Sequence, residues 1–156
     1  MSQYQLIVFD WDGTLMDSTG QIVSCMQHAI SQLALPSLSD DAIQHIIGLG
    51  LNEAILALYP YMNSQEVNAL ADTYRTSWLT LPQHSVLFDN AHHLIHTLNQ
   101  QDYFLGVATG KSRKGLDKVL SSTALAPLFH NTRCADECHS KPHPQMIEEL
   151  MTYFGV

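Results

Sequence analysis

Two carboxylates stand two residues apart in the segment Phe9-Asp10-Trp11-Asp12-Gly13-Thr14-Leu15. They follow the apolar run Leu6-Ile7-Val8-Phe9, which reads as a buried strand, so the acids begin where the strand stops. Carboxylates this close make a hard, oxygen-rich site suited to Mg²⁺. A cation there favours the charged form of Asp10 and leaves it available as a nucleophile. If strand geometry ends after Asp10, Asp12 reaches the same reactant as a general acid and base. Two further features carry chemistry. Thr109-Gly110 ends the apolar run Phe104-Leu105-Gly106-Val107-Ala108 and offers a hydroxyl and a glycine amide near a helix start, a ready anion site. Lys141 sits in Ser140-Lys141-Pro142-His143-Pro144, where two prolines stiffen the loop that carries its ammonium. Taken singly, these features are also compatible with a polar turn, a helix cap and a surface lysine.

The elements around them explain why they would meet. From Ser18 to Leu35 the apolar residues Ile22, Met26, Ile30 and Leu33 recur every three or four positions, which predicts one helix ending at Pro36. Ser39-Asp40-Asp41 starts a second helix that stops near Gly48-Leu49-Gly50. A short helix then reaches Tyr59, and Asn63-Ser64-Gln65-Glu66 opens a longer one to about Leu81. Beyond Pro82 the pattern alternates. A helix over Asn90 to Gln101 precedes the strand ending at Thr109. A helix over Ser112 to Ser121 precedes a strand over Asn131 to Cys134, and a last helix runs from Pro144 to Phe154 with Gly155 as its C-cap. Strands alternating with helices predict an α/β fold with a parallel sheet and right-handed crossovers. Such sheets bind ligands beyond the carboxyl ends of their strands, and all three strands end there in polar residues: Asp10 and Asp12, Thr109, and Asp136 with Glu137.

Composition narrows the function classes. The 156 residues are 46% hydrophobic and 14% charged, which supplies a core and excludes a disordered chain. The formal net charge is -8 with no Lys/Arg block, which argues against a nucleic-acid partner. No apolar run is long enough to span a bilayer, and no basic segment precedes an apolar stretch at the N-terminus, so the expectation is a cytoplasmic protein without a membrane partner. Three cysteines, an odd number, fit free thiols in a reducing compartment. Cys134, Cys138, His139 and His143 lie close together, but adjacent Cys138 and His139 do not readily share one zinc tetrahedron. His92, His93 and His96 read as a solvated helix face, and Trp11 as a shield of the site or a wall of its pocket.

In these motifs the chain resembles the haloacid dehalogenase-like hydrolase superfamily, in the branch that includes phosphoglycolate phosphatases. Asp10-Trp11-Asp12-Gly13-Thr14 matches that family's first motif, Thr109 its second, and Lys141-Pro142 its third. The resemblance implies a three-layer, parallel-sheet Rossmann-like core over residues 1–17 and 83–156, with an all-helical cap domain inserted over 18–82. It implies a Mg²⁺-dependent phosphatase acting on a small phosphorylated metabolite through an aspartyl phosphate on Asp10. Asp12 is then the acid and base, and Thr109, Gly110 and Lys141 hold the phosphoryl group. Asp10 and the backbone carbonyl of Asp12 bind the metal, and Gly48-Leu49-Gly50 resembles the cap's substrate-facing loop. The family's fourth motif, a pair of acids after a further strand, has no counterpart after Lys141. The expectation is therefore a core incomplete at the C-terminus, weak metal binding, low activity, and self-association or swapping through an exposed sheet edge. Two other readings stand beside this one: a sugar phosphomutase of the same fold, and a catalytically impaired fragment acting as a binding module.

Overall fold

The computed structural model describes residues 4–156. Strand β1 (Leu6–Phe9) and the two-residue strand β2 (Met16–Asp17) precede four helices: α1 (Thr19–Gln32), α2 (Asp40–Gln44), α3 (Leu51–Leu58) and α4 (Ser64–Thr80). Then come β3 (Val86–Leu87), α5 (Ala91–Gln100), β4 (Phe104–Thr109), α6 (Arg113–Ser122), a 3₁₀ turn at Ala126–Leu128, β5 (Asn131–Cys134) and α7 (Gln145–Phe154). The main sheet has the order β1-β4-β5 and is parallel throughout. Phe9 is in register with Val107, and Thr109 with Cys134, so the three strands finish side by side.

The period of two along each strand builds three layers. Leu105 and Val107 on β4, with Ile7 and Phe9 on β1, pack into one cluster with Ala91 and Ile95 of α5 and Leu116 and Leu120 of α6. Leu6, Val8 and Ala108 point to the other face and meet Met146 and Leu150 of α7. Helices thus cover both faces, as parallel strands require. A separate cluster lies within α1 to α4, where Met26, Ile30, Ile43, Ile55, Tyr59 and Leu70 bury one another. The α4 start is closed by a capping box: Asn63 Oδ1 accepts from the Glu66 amide, and Glu66 Oε2 accepts from the Asn63 amide.

Four elements depart from the sequence reading. β1 is half-buried, because among the described residues it pairs with β4 alone and lies at the sheet margin. α2 stops at Gln44, and the chain continues to Leu49 in tight turns in which the amides of Ile46, Ile47 and Leu49 reach back three residues. β2 and β3, which carry no readable periodicity, pair antiparallel, Met16 with Leu87 and Asp17 with Val86. They lie side by side where the chain leaves the sheet for the helices and returns.

Leu105 is wholly buried at the centre of the sheet. Replacing it with Ala removes three carbons from a packed interior, and we expect about 2–5 kcal/mol of destabilisation. A urea titration followed by circular dichroism measures the loss as a lower midpoint at unchanged slope.

Candidate active site

The turn after β1 is organised by one acceptor. The Trp11 carbonyl takes the amides of Thr14, Leu15 and Met16, and Gly13 adopts φ +74, a left-handed conformation that suits glycine. This tight reversal ends the strand at Asp10. Asp10 Oδ1 accepts from the Trp11 amide at 2.7 Å and pairs with Lys141 Nζ at 3.1 Å. Asp12 Oδ1 accepts from Ser18 Oγ at 2.7 Å and pairs with Lys111 Nζ at 3.1 Å. Ser18 stands at the N-cap of α1, yet it makes no side-chain cap bond there, because its hydroxyl is turned to Asp12. The two ion pairs differ in exposure. The side chains of Lys111 and Asp12 are 13% and 10% exposed, and those of Lys141 and Asp10 are 29% and 30%. Asp12 is the more enclosed acid and Asp10 the more open one.

The neighbouring strand end supplies Thr109 and Gly110. Thr109 is fully buried, and its Oγ1 accepts from the Lys111 amide at 3.2 Å, which curls the loop before α6. Gly110 lies against the loop between α2 and α3. A Cβ on it would sit 2.6 Å from the Gly48 carbonyl oxygen and closer still to that of Leu49. The same loop is tied at Gly50, whose amide donates to Ser140 Oγ at 2.8 Å, next to Lys141. A Cβ on Gly48 would lie 3.8 Å from Asp10 Oδ2, so this loop roofs Asp10. Trp78 on α4 places its ring 5.1 Å from Lys111 Nζ. Burial pushes the Tyr74 phenol well above its usual range, with Cys25 and Asp12 adding to the effect.

The structure thus joins Asp10 to Lys141 and sets Thr109 and Gly110 beside them on the next strand. Three site neighbours were absent from the sequence reading: Lys111, Ser18 and Trp78. Lys111 directly follows Thr109-Gly110, and that adjacency was the available signal. Trp11 does not line a pocket. It is wholly buried in the α5/α6 face, its ring edge-on to Phe129 at 6.4 Å. Asp136 and Glu137, at the third strand end, are spent on Arg113: Asp136 accepts from its backbone amide and Glu137 pairs with its guanidinium at 2.8 Å.

Comparison with known proteins decides the family. The model of the haloacid dehalogenase-like hydrolase family matches residues 7–156. The chain belongs to that family. It is 28% identical over 166 residues to the phosphoglycolate phosphatase of Pasteurella multocida, covering all of this chain and 74% of that protein. It is 34% identical over 157 residues to the "Probable phosphatase IndB" of Dickeya dadantii, covering 96% of this chain and 67% of the relative. The crystal structure of a predicted phosphoglycolate phosphatase from Haemophilus somnus superposes with a TM-score of 0.87 at 25% identity, over all of this chain and 74% of that one. This hydrolase therefore falls in the phosphoglycolate phosphatase-like branch, with the Rossmann-like core that the sequence implied.

The donor set of the hydrolase suits a hard cation held in an open site. Magnesium commonly takes one or two carboxylates, substrate phosphate and several waters. Asp10 Oδ2 and the Asp12 backbone carbonyl have no hydrogen-bond partner among the described residues, and the Gly48 loop leaves the first of them room. A closed all-protein cage is a different matter: no group of three His, Cys, Asp or Glu side chains is arranged for a metal among the described residues. That includes Cys134, Cys138, His139 and His143. Among the described residues, no helix is long and apolar enough to cross a membrane.

Two outcomes follow from this packing. Gly110→Ala forces backbone against backbone, and we expect a loss of about 1–3 kcal/mol in urea unfolding, together with lower activity. The thiols give a pH signature. Burial pushes Cys134 up to about 12, against the pull of Arg113, and raises Cys25 and Cys138 as well. A raised value keeps the thiol protonated to higher pH, and the thiolate is the reacting form. Iodoacetamide at pH 8 is therefore expected to label native protein slowly, at half-exposed Cys138 first, and all three cysteines rapidly in urea. Peptide mass mapping reads the order.

Proposed function

We propose that this hydrolase is a phosphatase that cleaves a small-molecule phosphate monoester through an aspartyl phosphate on Asp10, with Mg²⁺ as cofactor. One observation carries the reading. Two carboxylates at one strand end each face a lysine, one open and one enclosed, and a loop roofs the open one. Two of the seven basic side chains of an acidic protein converge here, which suits a site for a phosphorylated reactant.

In this reading Asp10 attacks phosphorus, and the bond to the ester oxygen breaks. Asp12 gives its proton to that oxygen, and the alcohol leaves. Asp12 then takes a proton from water, whose oxygen attacks phosphorus and releases phosphate, restoring the Asp10 carboxylate. Lys141, paired with Asp10 in the free protein, turns to the phosphoryl oxygens with Thr109 and the Gly110 amide. Asp10 and the Asp12 carbonyl would hold the metal, which supplies positive charge that offsets the phosphoryl oxygens during transfer. Such transfer depends chiefly on positioning and charge stabilisation. The phosphatase names of the relatives support the same reaction class.

Asp10→Asn is expected to lower phosphate release by at least about 10³-fold. Asp12→Asn is expected to cost on the order of 10²–10⁴-fold. Both are read as inorganic phosphate freed from p-nitrophenyl phosphate with Mg²⁺, and EDTA is expected to stop the wild-type reaction. An Asp10→Asn rate equal to wild type overturns the nucleophile assignment.

A further inference from the structure

We infer that Lys111 is a positioning residue that fixes Asp12 for proton transfer and ties it to the cap helix α4 through Trp78; the inference rests on the phosphatase reading above. The backbone of Lys111 is held on both sides. Its amide donates to Thr109 Oγ1 at 3.2 Å, and its carbonyl accepts from the Ala135 amide at 3.0 Å. The stem is therefore launched from a fixed point. Its ammonium ends 3.1 Å from Asp12 Oδ1 and 5.1 Å from the centre of the Trp78 ring. With 13% of the side chain exposed, this is an enclosed pair in which a charge and an aromatic face both compensate for lost water.

The bonding pattern at Asp12 shows what the arrangement achieves. Oδ1 accepts from Ser18 Oγ and lies 3.1 Å from Lys111 Nζ as an ion pair, and Oδ2 has no hydrogen bond among the described residues. One hydrogen bond and one neighbouring cation on the side of Oδ1 hold the rotation of the carboxyl group, so the proton in transit belongs to Oδ2. As Oδ2 gives that proton to the leaving oxygen, negative charge grows on the carboxyl group beside the ammonium, which stabilises it. Lys111 itself touches neither phosphorus nor the ester oxygen in this account.

Trp78 extends the arrangement across the molecule. It belongs to α4, whose Leu70 and Ala71 are buried in the separate helical cluster, whereas Lys111 belongs to the loop after β4. The same ammonium thus bridges the two packed units beside the acid. Tyr74, one turn earlier on α4, lies 6.1 Å from Trp78 and backs the ring. Asp12 is in its working orientation when α4 is seated.

Leaving-group dependence separates this role from a structural one. Ethyl phosphate needs a proton at its leaving oxygen, and p-nitrophenyl phosphate needs little help. Lys111→Met is expected to lower kcat on ethyl phosphate by roughly 10²-fold and on p-nitrophenyl phosphate by less than about fivefold, with Lys111→Arg recovering most of the loss. Equal losses on the two esters overturn the inference. A second readout needs no activity. Trp11 is fully buried, so acrylamide quenching reports mainly on Trp78. Lys111→Met is expected to raise the quenching constant about twofold, and an unchanged constant overturns the bridge. Should Asp10→Asn retain wild-type rates, the phosphatase mechanism fails on its own, and quenching still decides whether Lys111 bridges to Trp78.

Discussion

Two like charges two residues apart repel, and this chain places them at a strand end in a protein of net charge -8. The compensation of that pair by two ammonium groups organises the site. Opposite charges about 4 Å apart near a protein surface attract by about 4 kcal/mol before the cost of drying them. Neither lysine is near its aspartate in sequence, so the attraction has to be delivered by the fold. β4 carries the chain to Lys111, and the loop before α7 carries it to Lys141. The sheet register that aligns Phe9 with Val107 and Thr109 with Cys134 brings these loops to one edge.

The two pairs are not equivalent, and the difference suits a division of labour. Asp10 has the more exposed partner and a free oxygen under Gly48, an arrangement that lets its lysine exchange one anion for another. Asp12 is enclosed, held at one oxygen by a hydrogen bond and an ion pair, and its lysine lies over an aromatic ring. An enclosed charge pair resists rearrangement, because separating its members strands a charge away from water. A site that must open at one acid and stay fixed at the other gains from this asymmetry.

Much of this was legible in the sequence, for local reasons. Asp10 and Thr109 end apolar runs and Lys141 stands at the start of a proline-stiffened segment, patterns readable by themselves, and the strand ends then place them together. α1 announced itself by apolar spacing, α4 by its start at Asn63 and α7 by its Gly155 C-cap. The rest depended on partners remote in sequence. Lys111 looks like an ordinary loop lysine until α4 brings Trp78 over it. Ser18 looks like a helix cap until the Trp11 turn brings Asp12 within 2.7 Å of its hydroxyl. β2 and β3 are too short for any period to show, and β1 is half-buried because of the strand order and not because of its own residues.

The β2–β3 pairing has a consequence of its own. Met16 faces Leu87 and Asp17 faces Val86, so the chain departs and returns through points a single strand spacing apart. Whatever lies between Asp17 and Val86 is a loop whose mouth is already closed. The entropy of closing such a loop grows only logarithmically with its length. The sheet at this point is therefore indifferent to what is threaded there: four helices, a shorter hairpin or a larger module would leave β1 and β4 in the same register. A fold built this way exchanges the helices inserted between β2 and β3 without rebuilding the strands that carry its two aspartates.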